Sequence, residues 1–443
     1  MGVYAASFQP PALPATDAAR PAWILLDTLG YISDYCPHNT TKAEAYTSTG
    51  KQITVSFFVA EPPAVSYFTV HCPDLKKEDF VTEPRVVHSE KNLALLSLSL
   101  RRGIETRTDY FIYRARPGHL PSLDLLPAGT DCRLSKITAL ASVACVPSSD
   151  GEHFVVVALG LTFQPGRYEF NLFRSESGTW NYKLLVWGTS VLGPKPVTID
   201  PAKVIMLGGG AIAWVDLWNG ILVCDDIFSN EDPADFRVIP LPKLLPANHA
   251  YKQISYPQQF RDVVCADGLI RFVEMEYCRR RIIYEIPDVS KSEVLYDSEL
   301  PLGQTVDDED DIYEYLGWRI VTWNRPIDSN CWRRGSLVHV NDIRVVNSPS
   351  HYSGLLSDGV DTNNALEENL QSAGFPTLSM DDSDAVYLLS KVDPKNALLL
   401  TLDMRKKTLE GLTPFSAERC MYGKPDYVTC TLSKYLNTNS GDV

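Results

Sequence analysis

The chain has 443 residues and a formal charge of −14, from 41 basic and 55 acidic side chains. That balance speaks against nucleic acid, whose affinity comes mostly from phosphates neutralised by a basic face. An apolar share of 44% and an aromatic share of 10%, led by 21 Tyr, exclude wholesale disorder and favour strands, and no apolar run is long enough to cross a bilayer as a helix.

Residues 1–22 hold neither the apolar run of a signal peptide nor an Arg-rich amphipathic pattern. They are expected to be a flexible segment of an intracellular protein, cytoplasmic or nuclear. Gly2 is followed four residues later by Ala6, where a myristoylation signal needs Ser or Thr. From Trp23 onward, short runs rich in Val, Ile, Leu, Tyr and Phe alternate with Gly, Pro, Asp, Asn and Ser, the pattern of strands joined by turns. The 10 Cys are scattered, with no Cys-x-x-Cys pair and no zinc-site spacing, so they read as reduced, mostly buried thiols with no metal.

A repeat emerges along the chain. The runs beginning at His153, Ala211 and Leu269 are spaced by 58 residues, the run at Ala385 stands at twice that distance, and NLALLSLSL begins at Asn92. A further copy is expected near position 327, where VTWNRPIDSNCWRRGSLVHVNDI fits poorly. Units of this length that bury their faces against one another describe an all-β propeller of about six blades, six or seven, with few short helices. Residues 23–430 are expected to form this single domain and 431–443 a flexible tail. The segment from Lys51 to Asp74 is either a complete blade or a strand that closes the ring. The one helix candidate, from Asp361 to Leu370, reads as a short capped segment outside the core.

The stretch GGGAIAWVDLWNGILVCDD, residues 208–226, tests this reading. Gly208, Gly210 and Ala213 have the G-x-G-x-x-A spacing of a dinucleotide-binding turn, which must lead into a helix. Instead, Ala211 to Trp218 alternate with period two, Asn219-Gly220 supplies the dipeptide favoured in type I′ hairpins, and Ile221 to Cys224 return as a partner strand. The stretch is a hairpin and no cofactor is expected. Alternation places Trp214, Asp216 and Trp218 on one face, with the Trp rings packing between blades and Asp216 holding turn backbone.

AWVDLWNGILVCDD followed by FRVIPLP, Phe236 to Pro242, resembles the central signature of the Domain of Unknown Function 1618 family, a plant family expanded in grasses, through Trp214, Asp216, Trp218, Gly220 and Pro242. Trp23 to Asp27, Asp109 to Ala115, Pro121 to Pro127, Ala385 to Leu389 and Leu402 to Arg405 match other parts of it in order. The resemblance runs from about residue 23 to residue 413 and carries no established catalytic residues. The closing unit is also similar to propeller-like modules found behind F-box motifs, although the residues before Trp23 are too few for an F-box.

The remaining candidates are weighed on their chemistry. The acidic run Asp307 to Asp311 lacks the glycine and glutamate positions of an EF-hand and reads as a solvated loop. No G-x-S-x-G, Walker A, zincin or kinase signature is present, so no catalytic residue is assigned. Arg279, Arg280 and Arg281, with Trp332, Arg333 and Arg334, are the strongest basic spots. Arg and Trp dominate interface hot spots, which makes these six the candidates for contact with a protein partner. The expectation is a monomeric, non-catalytic interaction scaffold, linked by the resemblance to regulatory or ubiquitin-dependent pathways. The rival is an enzyme, or a small-molecule receptor with a closed apolar cavity, using the central channel.

Overall fold

A computed structural model of the chain describes residues 2–11, 20–34, 40–127, 141–149, 151–162, 164, 167–186, 199–229, 236–252, 254–281, 313–346, 362–381, 383–420 and 424–437. The first strands are β1 (Ile24–Asp27), β2 (Tyr31–Ile32), β3 (Ala43–Tyr46), β4 (Gln52–Phe58) and β5 (Val65–His71). Blade one follows with β6 (Arg85–Glu90), β7 (Leu93–Arg102), β8 (Glu105–Arg114) and β9 (Ser122–Leu125). Blade two holds β10 (Ala141–Pro147), β11 (Phe154–Leu161), β12 (Arg167–Arg174) and β13 (Thr179–Val186); blade three holds β14 (Lys203–Gly208), β15 (Ala211–Asp216), β16 (Gly220–Cys224) and β17 (Phe236–Ile239). Blade four is made of β18 (Arg261–Ala266), β19 (Leu269–Arg281), β20 (Tyr313–Pro326) and β21 (Arg333–His339). Blade five comprises β22 (Arg344–Val345), helix α1 (Thr362–Gln371), β23 (Gly374–Leu378), β24 (Ala385–Lys391), β25 (Asn396–Asp403) and β26 (Thr408–Ser416), and β27 (Tyr427–Cys430) ends the series.

These sheets make a six-bladed β-propeller. Neighbouring blades meet through their first strands, β6 with β10, β10 with β14, β14 with β18 and β18 with β23, which therefore stand nearest the axis. The ring closes in a sixth sheet ordered β27-β1-β5-β4-β3, in which β27 pairs antiparallel with β1, Ile24 opposite Cys430. Lys51–Asp74 thus supplies two strands, β4 and β5, to this closing blade.

The repeat marks the second strand of each blade, since β7, β11, β15, β19 and β24 begin at or next to the positions read from the sequence. The copy expected near residue 327 is corrected. Position 327 follows the end of β20, so the doubled spacing reflects one enlarged blade, and the sixth blade is the closing one.

Both faces of a blade are covered by its neighbours, which is why its inner strands read as continuous apolar runs, such as the buried Val155 to Leu159. One layer of side chains joins blades two and three through Ile212, Trp214, Leu222 and Val157. The alternate residues Ala213, Val215 and Leu217 meet Val263 and Phe272 of blade four. Each fully buried Leu, Val or Phe contributes roughly 1.5–3 kcal/mol.

Three segments pack against the ring. Val3 and Phe8 pack against the closing blade, and Tyr4 and Ser7 donate to the Glu83 carboxylate, so residues 2–11 are part of the ring. Leu432 and Leu436 are buried beneath the same blade and extend the domain to 437. Helix α1 lies where expected, but Ala365, Leu366 and Leu370 enter the core of blades four and five. Its Leu370 carbonyl accepts from the buried Trp318 indole at 2.7 Å. Among the described residues no helix is long and apolar enough to cross a membrane.

Candidate functional site

The hairpin 208–226 forms as the sequence indicates, with one change at its tip. Gly208, Gly209 and Gly210 carry φ values of +89°, +60° and +88° in the β14–β15 turn, a run of backbone that residues with a Cβ rarely adopt. The β15–β16 tip is not type I′. Asp216 lies opposite Gly220, and its carboxylate accepts the Trp218 and Asn219 N–H groups at 2.8 and 3.0 Å and the Asp200 N–H at 2.9 Å. An Asp-capped turn thus replaces the Asn-Gly geometry. Gly220 is needed for close approach, because a Cβ there would meet the Ile239 carbonyl at 3.2 Å. The turn also separates the two tryptophans. Trp214 lies edge-on to Phe170 of blade two, whereas Trp218 leaves the strand and packs on Phe260 at 6.2 Å. Pro242 sits half-buried beyond β17.

Trp218 opens onto a buried ionic group. Arg261 and Glu274 pair at 2.9 Å with side chains almost fully enclosed. The guanidinium donates to the Leu217 carbonyl at 2.7 Å and lies over both Trp218 and Phe272. Glu274 accepts from the Leu245 N–H and the Asn248 amide, and Glu276 from the Ala247 N–H. These carboxylates therefore hold the connection from blade three to blade four.

At the end of the ring where the inner strands begin, which we call the upper end, lies an axial cavity of about 400 Å³. All six blades line it, with Thr28, Tyr427, Arg85, Val143, Lys203, Asp262 and Thr377 among the contributors. Lys203 and Asp262 pair at 2.7 Å, and Arg85 stands 3.6 Å from Asp426. The second Asp262 oxygen accepts the Leu378 N–H. The cavity thus combines two ion pairs with a wall that is mostly apolar by area.

The basic residues singled out in the sequence all belong to blade four, but at opposite ends. Arg279 faces Tyr315 across the β19–β20 ladder, and Arg334 faces Trp323. The two sites are separated by eight residues of β20, about 26 Å at ~3.3 Å per residue. Arg279 is exposed and lies 5.6 Å from the Tyr251 ring. The side chains of Arg280 and Arg281 lie outside the described residues, as does the acidic run 307–311. Arg333 and Arg334 are exposed at the lower end, where Trp332 is half-buried and donates to the Pro240 carbonyl at 2.7 Å. Trp332 is therefore an inter-blade packing residue.

One Cys–His contact went unmarked in the sequence, since its members come from different blades. Cys145 Sγ lies 3.7 Å from His88 Nδ1, which accepts the Cys145 N–H at 3.3 Å. Burial pushes the thiol up to about 12 and the imidazole down to about 4. Both groups are held neutral, the opposite of an activated nucleophile. At the closing seam, desolvation raises the Asp27 carboxyl to about 6 in spite of Arg419, whose guanidinium lies 3.8 Å from the Tyr31 ring centre.

Residues 214–387, from the buried Trp214 to Tyr387 of blade five, match the model of a family described as a protein of unknown function, DUF1618. Over this stretch the chain is similar to the DUF1618 family. No curated protein matches it. Among solved structures, the chain is similar to a prolyl endopeptidase at 11% identity and a TM-score of 0.30, covering 84% of this chain and 41% of that one. It is also similar to the β-propeller domain of the Trilobed protease from Pyrococcus furiosus (10% identity, TM-score 0.26, 75% of this chain and 83% of that one). A third is the Bombyx mori GH32 β-fructofuranosidase (10% identity, TM-score 0.28, 93% and 88% covered). Likenesses this remote carry no argument about activity.

Proposed function

We propose that this chain is a non-catalytic interaction scaffold that holds a partner protein on the upper end of blade four. One observation carries the reading. Tyr315, 45% exposed, pairs in register with the exposed Arg279, which leans on Tyr251; the segment that follows Tyr251 carries Ile254 and Tyr256, 78 and 54% exposed. Exposed apolar side chains grouped with Tyr and Arg are the composition of an interface hot spot. Catalysis is left out because, of the carboxylates lining the axial cavity, Asp262 is held by Lys203 and the Leu378 N–H and Asp426 faces Arg85. The eight described cysteines are all unpaired, which suits a reducing setting such as cytoplasm or nucleus.

The test is affinity capture with three baits: wild type, Ile254→Asp with Arg279→Ala and Tyr315→Ala, and Arg333→Ala with Arg334→Ala. The expected result is a specific partner kept by wild type and by the lower-end variant and lost by the upper-end one. Loss in the lower-end variant alone, or a partner indifferent to both, overturns the assignment.

A further inference from the structure

The axial cavity differs from the blade-four face in what it asks of a ligand. Of the cations lining it, Arg261 is neutralised by Glu274 and Lys203 by Asp262. Arg85 is only loosely engaged by Asp426, at 3.6 Å, and Lys424 makes no ion pair with a described residue. Among the described residues, the mouth therefore keeps one cation in excess of its carboxylates, on a chain whose overall charge is −14. Such a local reversal draws an anion toward a site that the rest of the surface repels.

The same wall offers acceptors as well. Asp426, another lining residue, keeps part of its side chain accessible and offers carboxylate oxygens as acceptors. The Tyr427 and Thr377 hydroxyls lie 3.4 Å apart on the neighbouring wall. A volume of about 400 Å³ falls in the usual range for small-molecule sites, roughly 300–1,000 Å³. Because six blades contribute to it, its walls are held by the core of the whole ring, so little ordering is needed when a ligand enters.

We propose that this cavity binds a small carboxylate bearing several hydroxyl groups, with its carboxylate at Lys424 and Arg85 and its hydroxyls donating to Asp426. Three probes of similar size separate the parts of this assignment: gluconate, which has both features; sorbitol, which lacks the carboxylate; and adipate, which lacks the hydroxyls. Isothermal titration of the full chain at neutral pH is expected to show gluconate binding about tenfold or more tighter than either, the loss typical of one charged hydrogen bond. Lys424→Gln should weaken gluconate by a similar factor, with an unchanged melting temperature and no effect on sorbitol. Absence of gluconate binding, sorbitol or adipate binding as tightly as gluconate, or a Lys424→Gln variant that binds gluconate like wild type, each overturns the proposal. None of these outcomes bears on the protein-binding face of blade four.

Discussion

Blade three uses a second and third strand of six and five residues, while the corresponding strands of its neighbour, blade four, run to 13 and 14. In blade three every residue from Ile212 to Asp216 and from Gly220 to Cys224 is buried. In β19 burial is continuous only from Phe272 to Glu276, then gives way to the half-buried Tyr277 and Cys278 and the exposed Arg279. The ring is complete once Glu274 and Glu276 have gripped the incoming connection, so the rest of the hairpin is chain the core does not require. On the function proposed above, blade four is scaffold in its lower half and presentation surface in its upper half.

If that division is correct, the largest losses come from blade three and from the lower half of blade four. Trp214→Ala empties the layer between blades two and three and is expected to cost about 3–5 kcal/mol. Glu274→Ala leaves Arg261 charged and enclosed, and a similar loss of about 3–5 kcal/mol is expected. Adding Arg261→Met to a Glu274→Leu variant should restore much of it, because the penalty comes from the unpaired charge. Urea unfolding reads all three, and a mild effect at either single site would break the comparison.

A smaller effect separates blade one from the closing seam. His88 sits near 4 in the folded ring but near ~6.5 in an unfolded chain, so the unfolded state takes up a proton first. Its contribution is present above about pH 6.5 and is lost as the pH falls toward the folded value. Asp27, raised to about 6, acts in the opposite sense: its buried charge costs stability at neutral pH, and that cost is relieved below its folded value. Between pH 6.5 and 4, His88→Gln should lose less stability than wild type and Asp27→Asn should lose more. Two variants that both track wild type would show that neither group governs the acid limb.

How much of this was legible follows from what is local. The second strands of four blades share nearly one spacing because each must fill the same wedge between two neighbours, and that constraint is written in runs such as Phe154 to Leu161. The closing blade was read only in part because β1 and β27 lie at opposite ends of the described chain, and no local pattern signals a partner so distant. Trp218 was misplaced because period-two alternation was carried past Asp216, whose carboxylate turns the chain. The axial cavity was out of reach for the same reason as the His88–Cys145 contact: its lining residues come singly from separate blades. Arg279 was visible as part of a basic triplet, but that Ile254 and Tyr256 stand on the same end of the ring follows from the fold alone.

The smallest expected effect on stability is also the sharpest test of the comparison. Arg279→Ala with Tyr315→Ser removes two side chains from the upper hairpin, where Arg279 is exposed and Tyr315 contributes one hydroxyl hydrogen bond, to the Gln371 carbonyl at 2.7 Å. Exposed substitutions of this kind usually change stability by less than about 0.5 kcal/mol, and the lost hydrogen bond adds about 1 kcal/mol at most. The melting temperature should therefore fall far less than in Trp214→Ala, while partner capture is abolished. A melt as damaged as that of the Trp214 variant would mean that the upper hairpin supports the ring after all, and the exposure of Tyr315 would no longer argue for recognition.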